Sequence, residues 1–317
     1  MAATRWGILS TARINRLVLA GAREADGVEI AAVASRDAAR AEAYAREHGI
    51  PRAHGSYEAL LAADGVDAIY IPLPNSMHHE WTMRALNHGK HVLCEKPYTR
   101  RAAEVEEAFD AAEHAGLVLS EAFMWRHNPL ARRLVELLPE IGELRAIRAS
   151  FAFPLADETN VRLLADLDGG ALMDVGCYCV SGARLLAGEP ERVYGEQVLG
   201  PTGVDVHFAG TLRFAGDVVA EFMSSFATTH HRDLEAVGSA GTLRLTDAWN
   251  ATESVIHLNG EPLDVQPEDS YRLELENVSA AIRGEAPLLL GREDALGQAR
   301  TIEALYESAA RHAPVDL

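Results

Sequence analysis

Two rhythms of apolar positions run along the 317 residues. In the first part, short continuous apolar runs alternate with stretches of helical spacing. The runs Arg5–Leu9, Val28–Ala34, Asp67–Pro72, Val92–Cys94 and Val118–Ser120 read as buried strands. Between them Ile14–Ala25, Ala38–His48, His78–His88 and Ala102–Ala115 read as helices, with Leu17, Val18 and Ala22 on one face of the first. Strands alternating with helices predict a doubly wound parallel sheet. After Glu121 the rhythm changes. A helix is expected from the Ala122–Pro129 stretch to Leu138, and Arg145–Phe153 alternates as an antiparallel strand does. The turn Asp168-Gly169-Gly170 leads into a helix over Ala171–Ala187. Strands follow at Val193–Leu199, Asp205–Phe214, Val218–Phe226, Leu234–Gly238, Thr242–Leu245 and Ser254–Leu258, then closing helices at Tyr271–Ile282 and Arg292–His312. The fold class expected is α/β: an N-terminal Rossmann sheet plus a C-terminal α+β domain with a large, mostly antiparallel sheet. The expected division is 1–121 for dinucleotide binding and 122–317 for substrate binding and oligomerisation, with the closing helices free to pack back on the first domain.

In an open α/β sheet the ligand crevice lies at the carboxyl ends of the strands, so the residues there carry the candidate chemistry. After the first strand, Ser10, Ala12 and Asn15 stand where a dinucleotide fold has the glycines of GxGxxG. The arrangement is still a strand, a tight turn (Ser10-Thr11-Ala12-Arg13-Ile14) and a helix amino terminus able to face a pyrophosphate. After the second strand an NAD site usually has an acidic residue for the ribose hydroxyl. This chain has Ser35 and Arg36, with Arg40 one helical turn on. A hydroxyl and two guanidiniums suit a 2′-phosphate, so NADP is expected over NAD. Pro72, Leu73, Asn75 and His78 end the next strand, and Glu95, Lys96 and Pro97 the one after. Pro97 stops that strand, and a lysine and glutamate suit such a place when a cleft lies there.

Composition narrows the partners. Lys and Arg number 29 against 47 Asp and Glu, a net charge of 29 − 47 = −18, which argues against nucleic acid or an anionic membrane. Three cysteines, Cys94, Cys177 and Cys179, with no CxxC pair point to a reduced, cytoplasmic setting, and no metal site is expected. The amino terminus enters a strand without an apolar leader.

Several motifs together resemble the glucose–fructose oxidoreductase / inositol dehydrogenase / MocA (Gfo/Idh/MocA) family of NAD(P)-dependent oxidoreductases over nearly the whole chain. They are Trp6-Gly7-Ile8, Pro74-Asn75-Ser76-Met77-His78, Glu95-Lys96-Pro97, Gly169-Gly170-Ala171-Leu172-Met173-Asp174-Val175-Gly176-Cys177-Tyr178 and Ala280-Ala281-Ile282-Arg283-Gly284. Ala12-Arg13-Ile14, Met124-Trp125-Arg126 and Tyr178 look most like the branch of dihydrodiol dehydrogenase and aldose 1-dehydrogenases. Sugar ketoreductases share the look. The resemblance implies an NADP-dependent dehydrogenase, of the D-xylose or D-glucose 1-dehydrogenase type, with Lys96, Asp174 and Tyr178 as its catalytic group. The chemistry agrees. A hydride leaving a carbinol is accompanied by a proton, and a phenol of reference pKa ~10 takes it at neutral pH only with a cation nearby. Lys96 could supply that charge, and Asp174 could hold Lys96 or the substrate. In an α-helix Asp174 and Tyr178 share a face. Trp125, Arg126 and Arg162 are further candidates for substrate contacts, each with a bland alternative as core or solvated residue. A dihydrodiol dehydrogenase or ketoreductase with the same site, and a nucleotide-sensing regulator without turnover, are the competing readings. A homodimer is expected from the second sheet.

Overall fold

Six strands, all parallel, build the first sheet: β1 (Thr4–Leu9), β2 (Val28–Ala34), β3 (Arg52–His54), β4 (Ala68–Ile71), β5 (His91–Glu95) and β6 (Leu119–Ala122), in the order β3-β2-β1-β4-β5-β6. The order reverses at β1 and β4, the switch point where such sheets hold a ligand. The connecting helices are α1 (Asn15–Glu24), α2 (Ala38–His48), α3 (Tyr57–Leu61), α4 (His78–Asn87) and α5 (Ala102–Ala115). Helix α2 is typical of how sequence sets the limits. The Asp37 side chain accepts from the Arg40 amide at its start, and Gly49 closes it in a left-handed conformation. The short β3 and α3 were not expected from the pattern. Both are brief, and β3 is ordered by pairing with β2.

The second sheet has nine strands: β7 (Leu144–Ala152), β8 (Arg192–Leu199), β9 (Asp205–Arg213), β10 (Val219–Ser225), β11 (His231–Gly238), β12 (Thr242–Thr246), β13 (Val255–Leu258), β14 (Glu261–Pro262) and β15 (Val315–Asp316). Their order is β14-β13-β12-β11-β7-β10-β9-β8-β15. It is antiparallel except that β7 runs parallel to β10 while pairing antiparallel with β11. The helices of this part are α6 (Pro129–Leu137) and α7 (Cys177–Ala187), followed near the end of the chain by α8 (Ser270–Ile282) and α9 (Arg292–Arg311).

Two expectations are corrected. The helix from Ala122 to Leu138 is in fact three pieces: Ala122 ends β6, Met124–His127 is a 3-10 turn, and α6 starts at Pro129. Asn128 caps α6 by accepting from Leu130 N at 3.1 Å, and Pro129 has no N–H to continue a helix backwards. The helix Ala171–Ala187 is α-helical only from Cys177. Leu172–Gly176 forms a π turn, with Cys177 N donating five residues back to Leu172 O. The α-helical argument for a shared face of Asp174 and Tyr178 therefore does not apply at that turn.

The computed structural model describes residues 2–249 and 253–317. The chain forms two units, one of residues up to Thr99, Ala103–His127 and Asp269–Leu296, the other of Arg100–Ala102, Asn128–Glu268 and Gly297–Leu317. Among the described residues no helix is long and apolar enough to cross a membrane. Helix α8 packs on the first sheet and α1 from the far end of the chain. It buries Tyr271, Leu275 and Val278, and Ser279 Oγ accepts from Trp6 Nε1 at 3.0 Å. Three such side chains are worth roughly 1.5–3 kcal/mol each, a sum close to the whole stability of a domain, about 5–15 kcal/mol. A fragment ending at Glu121 lacks this cover. It should show no cooperative thermal transition by circular dichroism, and a sharp transition near that of the full chain would refute this account of α8.

Candidate functional site

The turn after β1 solves the absence of glycine with hydrogen bonds. Ser10 has φ 118°, a conformation that favours glycine. It is held there because Ser10 N donates to Ala34 O at 3.1 Å, Ser10 Oγ to Pro72 O at 3.3 Å, and Asn15 Nδ2 to Ser10 O at 2.8 Å. Such strain costs roughly 1–3 kcal/mol and persists only where the surroundings impose it. Thr11, Ala12 and Ile14 are half-buried beside it, and Arg13 is exposed. At the neighbouring strand end Ser35 is buried and its Oγ accepts from Asp37 N at 3.3 Å. Arg36 and Arg40 are exposed. Among the described residues no carboxylate lies within ion-pair distance of Arg13, Arg36 or Arg40. In a chain of charge −18, unpaired guanidiniums at the carboxyl ends of adjacent parallel strands fit a nucleotide phosphate.

The Glu95-Lys96-Pro97 turn is pinned on both sides. The Tyr70 hydroxyl on β4 donates to Glu95 Oε1 at 2.6 Å. Burial and the Glu95 charge push the Tyr70 pKa well up, so the phenol stays protonated and remains a donor. Beyond Lys96 the peptide to Pro97 is cis. Tyr98 N donates to the buried Glu121 Oε1 at 2.7 Å, and Tyr98 OH meets His79 Nδ1 at 3.1 Å. His78 is fully buried, with Nδ1 at 3.0 Å from Pro97 O and Nε2 at 2.8 Å from Leu73 O. Burial lowers its pKa against the pull of those carbonyls. Its ring thus joins the Pro72-Leu73 loop, which leads into a 3-10 turn at Asn75, to the lysine turn. Arg126 is paired with Asp294 at 3.0 Å, and Trp125 is buried, with the Arg126 guanidinium 5.8 Å from its ring centre.

In the second unit the turn Asp168-Gly169-Gly170 feeds the π turn that carries Asp174. Arg162 lies on Asp174, Nε to Oδ2 at 2.7 Å. Tyr178, in the first turn of α7, is buried edge-on against Phe151 at 5.3 Å between ring centres, with Trp249 at 5.9 Å. Trp249 is itself fixed by Nε1 donating to Ser150 O at 2.9 Å. The Tyr178 ring thus stands against an aromatic wall, and the Asp174 carboxylate is paired with a guanidinium.

Sequence reasoning missed the supports of both groups. Glu121 and Glu274 are buried carboxyls, and burial raises Glu274 well above the usual range. Asp205, at the start of β9, is 2% exposed and accepts from Leu172 N at 2.7 Å and Tyr306 OH at 2.9 Å. Acidic residues opening or closing apolar strands were the signal for Glu121 and Asp205. Nothing local singles out Phe151 or Trp249. Among the described residues no group of three or more His, Cys, Asp or Glu is placed to hold a metal, and the three cysteines are buried and none is in a disulfide.

Residues 4–123 match the family model described as an oxidoreductase family with an NAD-binding Rossmann fold, and residues 131–244 match the GFO/IDH/MocA C-terminal domain. The chain is 43% identical to D-xylose 1-dehydrogenase (NADP(+)) 2 of Haloferax volcanii, over 98% of this chain and 99% of that one. The structure is similar to the aldose-aldose oxidoreductase of Caulobacter crescentus crystallised with glycerol, at TM-score 0.92 and 26% identity over 99% and 100% of the two chains. It is also similar to a 3-ketoreductase of Actinomadura kijaniata in complex with NADP and TDP-benzene, at TM-score 0.91 and 32% identity over 96% and 98%.

Burial raises the Asp205 carboxyl from 3.8 to about 6. A carboxyl raised on folding favours the folded state below its unfolded value, and that contribution is lost as pH rises through about 6. Asp205→Asn removes this titration. From pH 4 to 7.5 the stability of the variant relative to the parent should therefore rise, by about 2.4 kcal/mol. Urea denaturation at the two pH values checks it, and a constant difference would show that Asp205 is not raised.

Proposed function

Because the chain belongs to the GFO/IDH/MocA family of oxidoreductases, we propose that it is an NADP-dependent dehydrogenase that oxidises an aldose at its anomeric carbon. The observation that carries the cofactor assignment is the set of arginines, Arg13, Arg36 and Arg40, exposed after β1 and β2 without an ion-pair partner among the described residues, with Ser35-Arg36 rather than an acidic residue next after β2. The names of the similar proteins favour an aldose as substrate. In this reading residues 1–121 with the later helix α8 bind the nucleotide, and the greater part of 122–317 binds the sugar.

NADP, when bound, supplies the acceptor for the hydride. The chain's own residues do the rest. Lys96, which matches the family's catalytic lysine, is assigned the positive charge that a phenol base needs at neutral pH. Tyr178 Oη takes the proton of the sugar hydroxyl as the carbonyl forms. Asp174, its charge balanced by Arg162, orients the hydroxyl. Phe151 and Trp249 keep Tyr178 in one rotamer and exclude water from its ring. Arg162 serves the substrate through Asp174, while Trp125 and Arg126 support the turn after β6. The cytoplasm is the setting proposed, since none of the three thiols is in a disulfide.

A homodimer is proposed through the exposed face of the second sheet. There Thr211, Glu221, Arg148, Glu235 and Arg244 form one row across β9, β10, β7, β11 and β12, with Arg148 Nε 2.8 Å from Glu221 Oε1. Alternating charge of this kind is self-complementary across a two-fold axis. A monomer alone in sedimentation at micromolar concentration would count against it.

A panel of aldoses and trans-diols, run with NADP and NAD at the reduced-nicotinamide absorbance, tests the activity. A regulator without turnover would bind nucleotide and stay silent throughout. Arg36→Ala should weaken NADP by roughly 1.5–3 kcal/mol and NAD hardly at all, because only NADP carries the 2′-phosphate. Equal loss for both would remove Arg36 from that role. Lys96→Met and Tyr178→Phe should each lower kcat by ~10²–10⁴-fold with NADP affinity nearly unchanged. Near-normal kcat in both, with an isotope effect proving chemistry rate-limiting, would sink this acid/base assignment.

A further inference from the structure

The segment bearing Asp174 and Tyr178 starts at a turn that local sequence alone does not hold. Asp168 sits in the left-handed region at φ 53° and Gly170 at φ 127°. Both are gripped from outside the turn. Arg100 Nη2 reaches Asp168 Oδ1 at 2.9 Å, and the same guanidinium lies 4.9 Å from the centre of the Tyr306 ring on α9. Tyr306 OH donates to Asp205 Oδ1 at 2.9 Å, and Asp205 Oδ2 accepts from Leu172 N, the first residue of the π turn, at 2.7 Å. A Cβ at Gly170 would overlap Asp205 Oδ1, so only glycine lets the carboxylate approach.

We propose that Asp205 is a positioning residue for the dehydrogenase reaction, setting through Leu172 the start of the π turn and so the placement of Asp174 and Tyr178. This rests on the reading that Asp174 and Tyr178 are catalytic. A buried carboxylate is an expensive way to satisfy one amide, since an asparagine would accept the same bond with less desolvation. What the carboxylate adds is two strong acceptors at once, giving short charge-assisted bonds to Leu172 N and Tyr306 OH. The ionisable groups around it are Tyr306 from α9 and Arg100 from the segment before α5, with Asp168 beyond Arg100. Its cross-strand neighbour on β8 is the uncharged Leu199. Protonation, as pH falls through about 6, turns one acceptor into a donor and leaves the Leu172–Tyr306 pair short of a partner. π turns occur often at functional sites, and this one is tied to a carboxylate that costs stability at neutral pH.

The test uses the full-length, NADP-loaded enzyme and compares Asp205→Asn, Asp205→Leu and Tyr306→Phe with Tyr178→Phe. Misplacing a reacting group by ~1 Å costs on the order of 10²-fold. Asp205→Leu should therefore lower kcat by ~10–100-fold, with NADP affinity unchanged and faster amide hydrogen exchange across 172–176. Asp205→Asn keeps an acceptor for Leu172 N and should recover much of the kcat, although its stability relative to the parent rises between pH 4 and 7.5. If Asp205→Leu does not fold, the split between kcat and exchange in Asp205→Asn and Tyr306→Phe decides. Normal kcat in every Asp205 and Tyr306 variant that folds, while Tyr178→Phe is dead, would overturn the positioning role. An active Tyr178→Phe would instead overturn the catalytic reading beneath it.

Discussion

The first unit depends on one bond between a buried carboxylate and a backbone amide, from Tyr98 N to Glu121 Oε1. Leaving either group unpaired in that interior costs about 1–3 kcal/mol or more, so the chain after Pro97 has one place to go. His78 adds the second tie, because its ring spans the carbonyls of Leu73 and Pro97. With Tyr70 holding Glu95 from the other side, Lys96 is carried on a backbone fixed before and after it. Two loops that end different strands, after β4 and after β5, are joined through one ring.

The second unit uses the same device with different parts. Asp205 takes the place of Glu121, Leu172 N that of Tyr98 N, and Gly170 provides the room. In each unit a carboxylate at a strand terminus receives the amide of the segment that holds the candidate catalytic groups. Rigid strands thus set the position of functional side chains, while hydrogen bonds rather than hydrophobic burial set their direction. The nucleotide end differs. There Arg13, Arg36 and Arg40 are exposed and, among the described residues, without an ion-pair partner, which leaves their charge available to an anion in a strongly acidic protein.

Much of this was legible in the sequence. Runs such as Val28–Ala34, Ala38–His48 and Ala102–Ala115 match their elements end to end, because period and capping residues are local. The parallel first sheet followed from alternation, and the residues at strand ends marked where chemistry belongs. Family motifs singled out Lys96, Asp174 and Tyr178. What the sequence determined by itself is the alternation of buried strands and helices and the ends of elements with clear period and caps, since a single turn or pleat contains that information. Only the tertiary structure decided the partners. It set β7 beside a parallel β10, opened the π turn at Leu172–Gly176, held Ser10 at positive φ, and brought Ser279 to Trp6 across 273 residues. These depend on which buried polar group finds which donor, and that pairing is between segments far apart in the chain, beyond the reach of any local pattern.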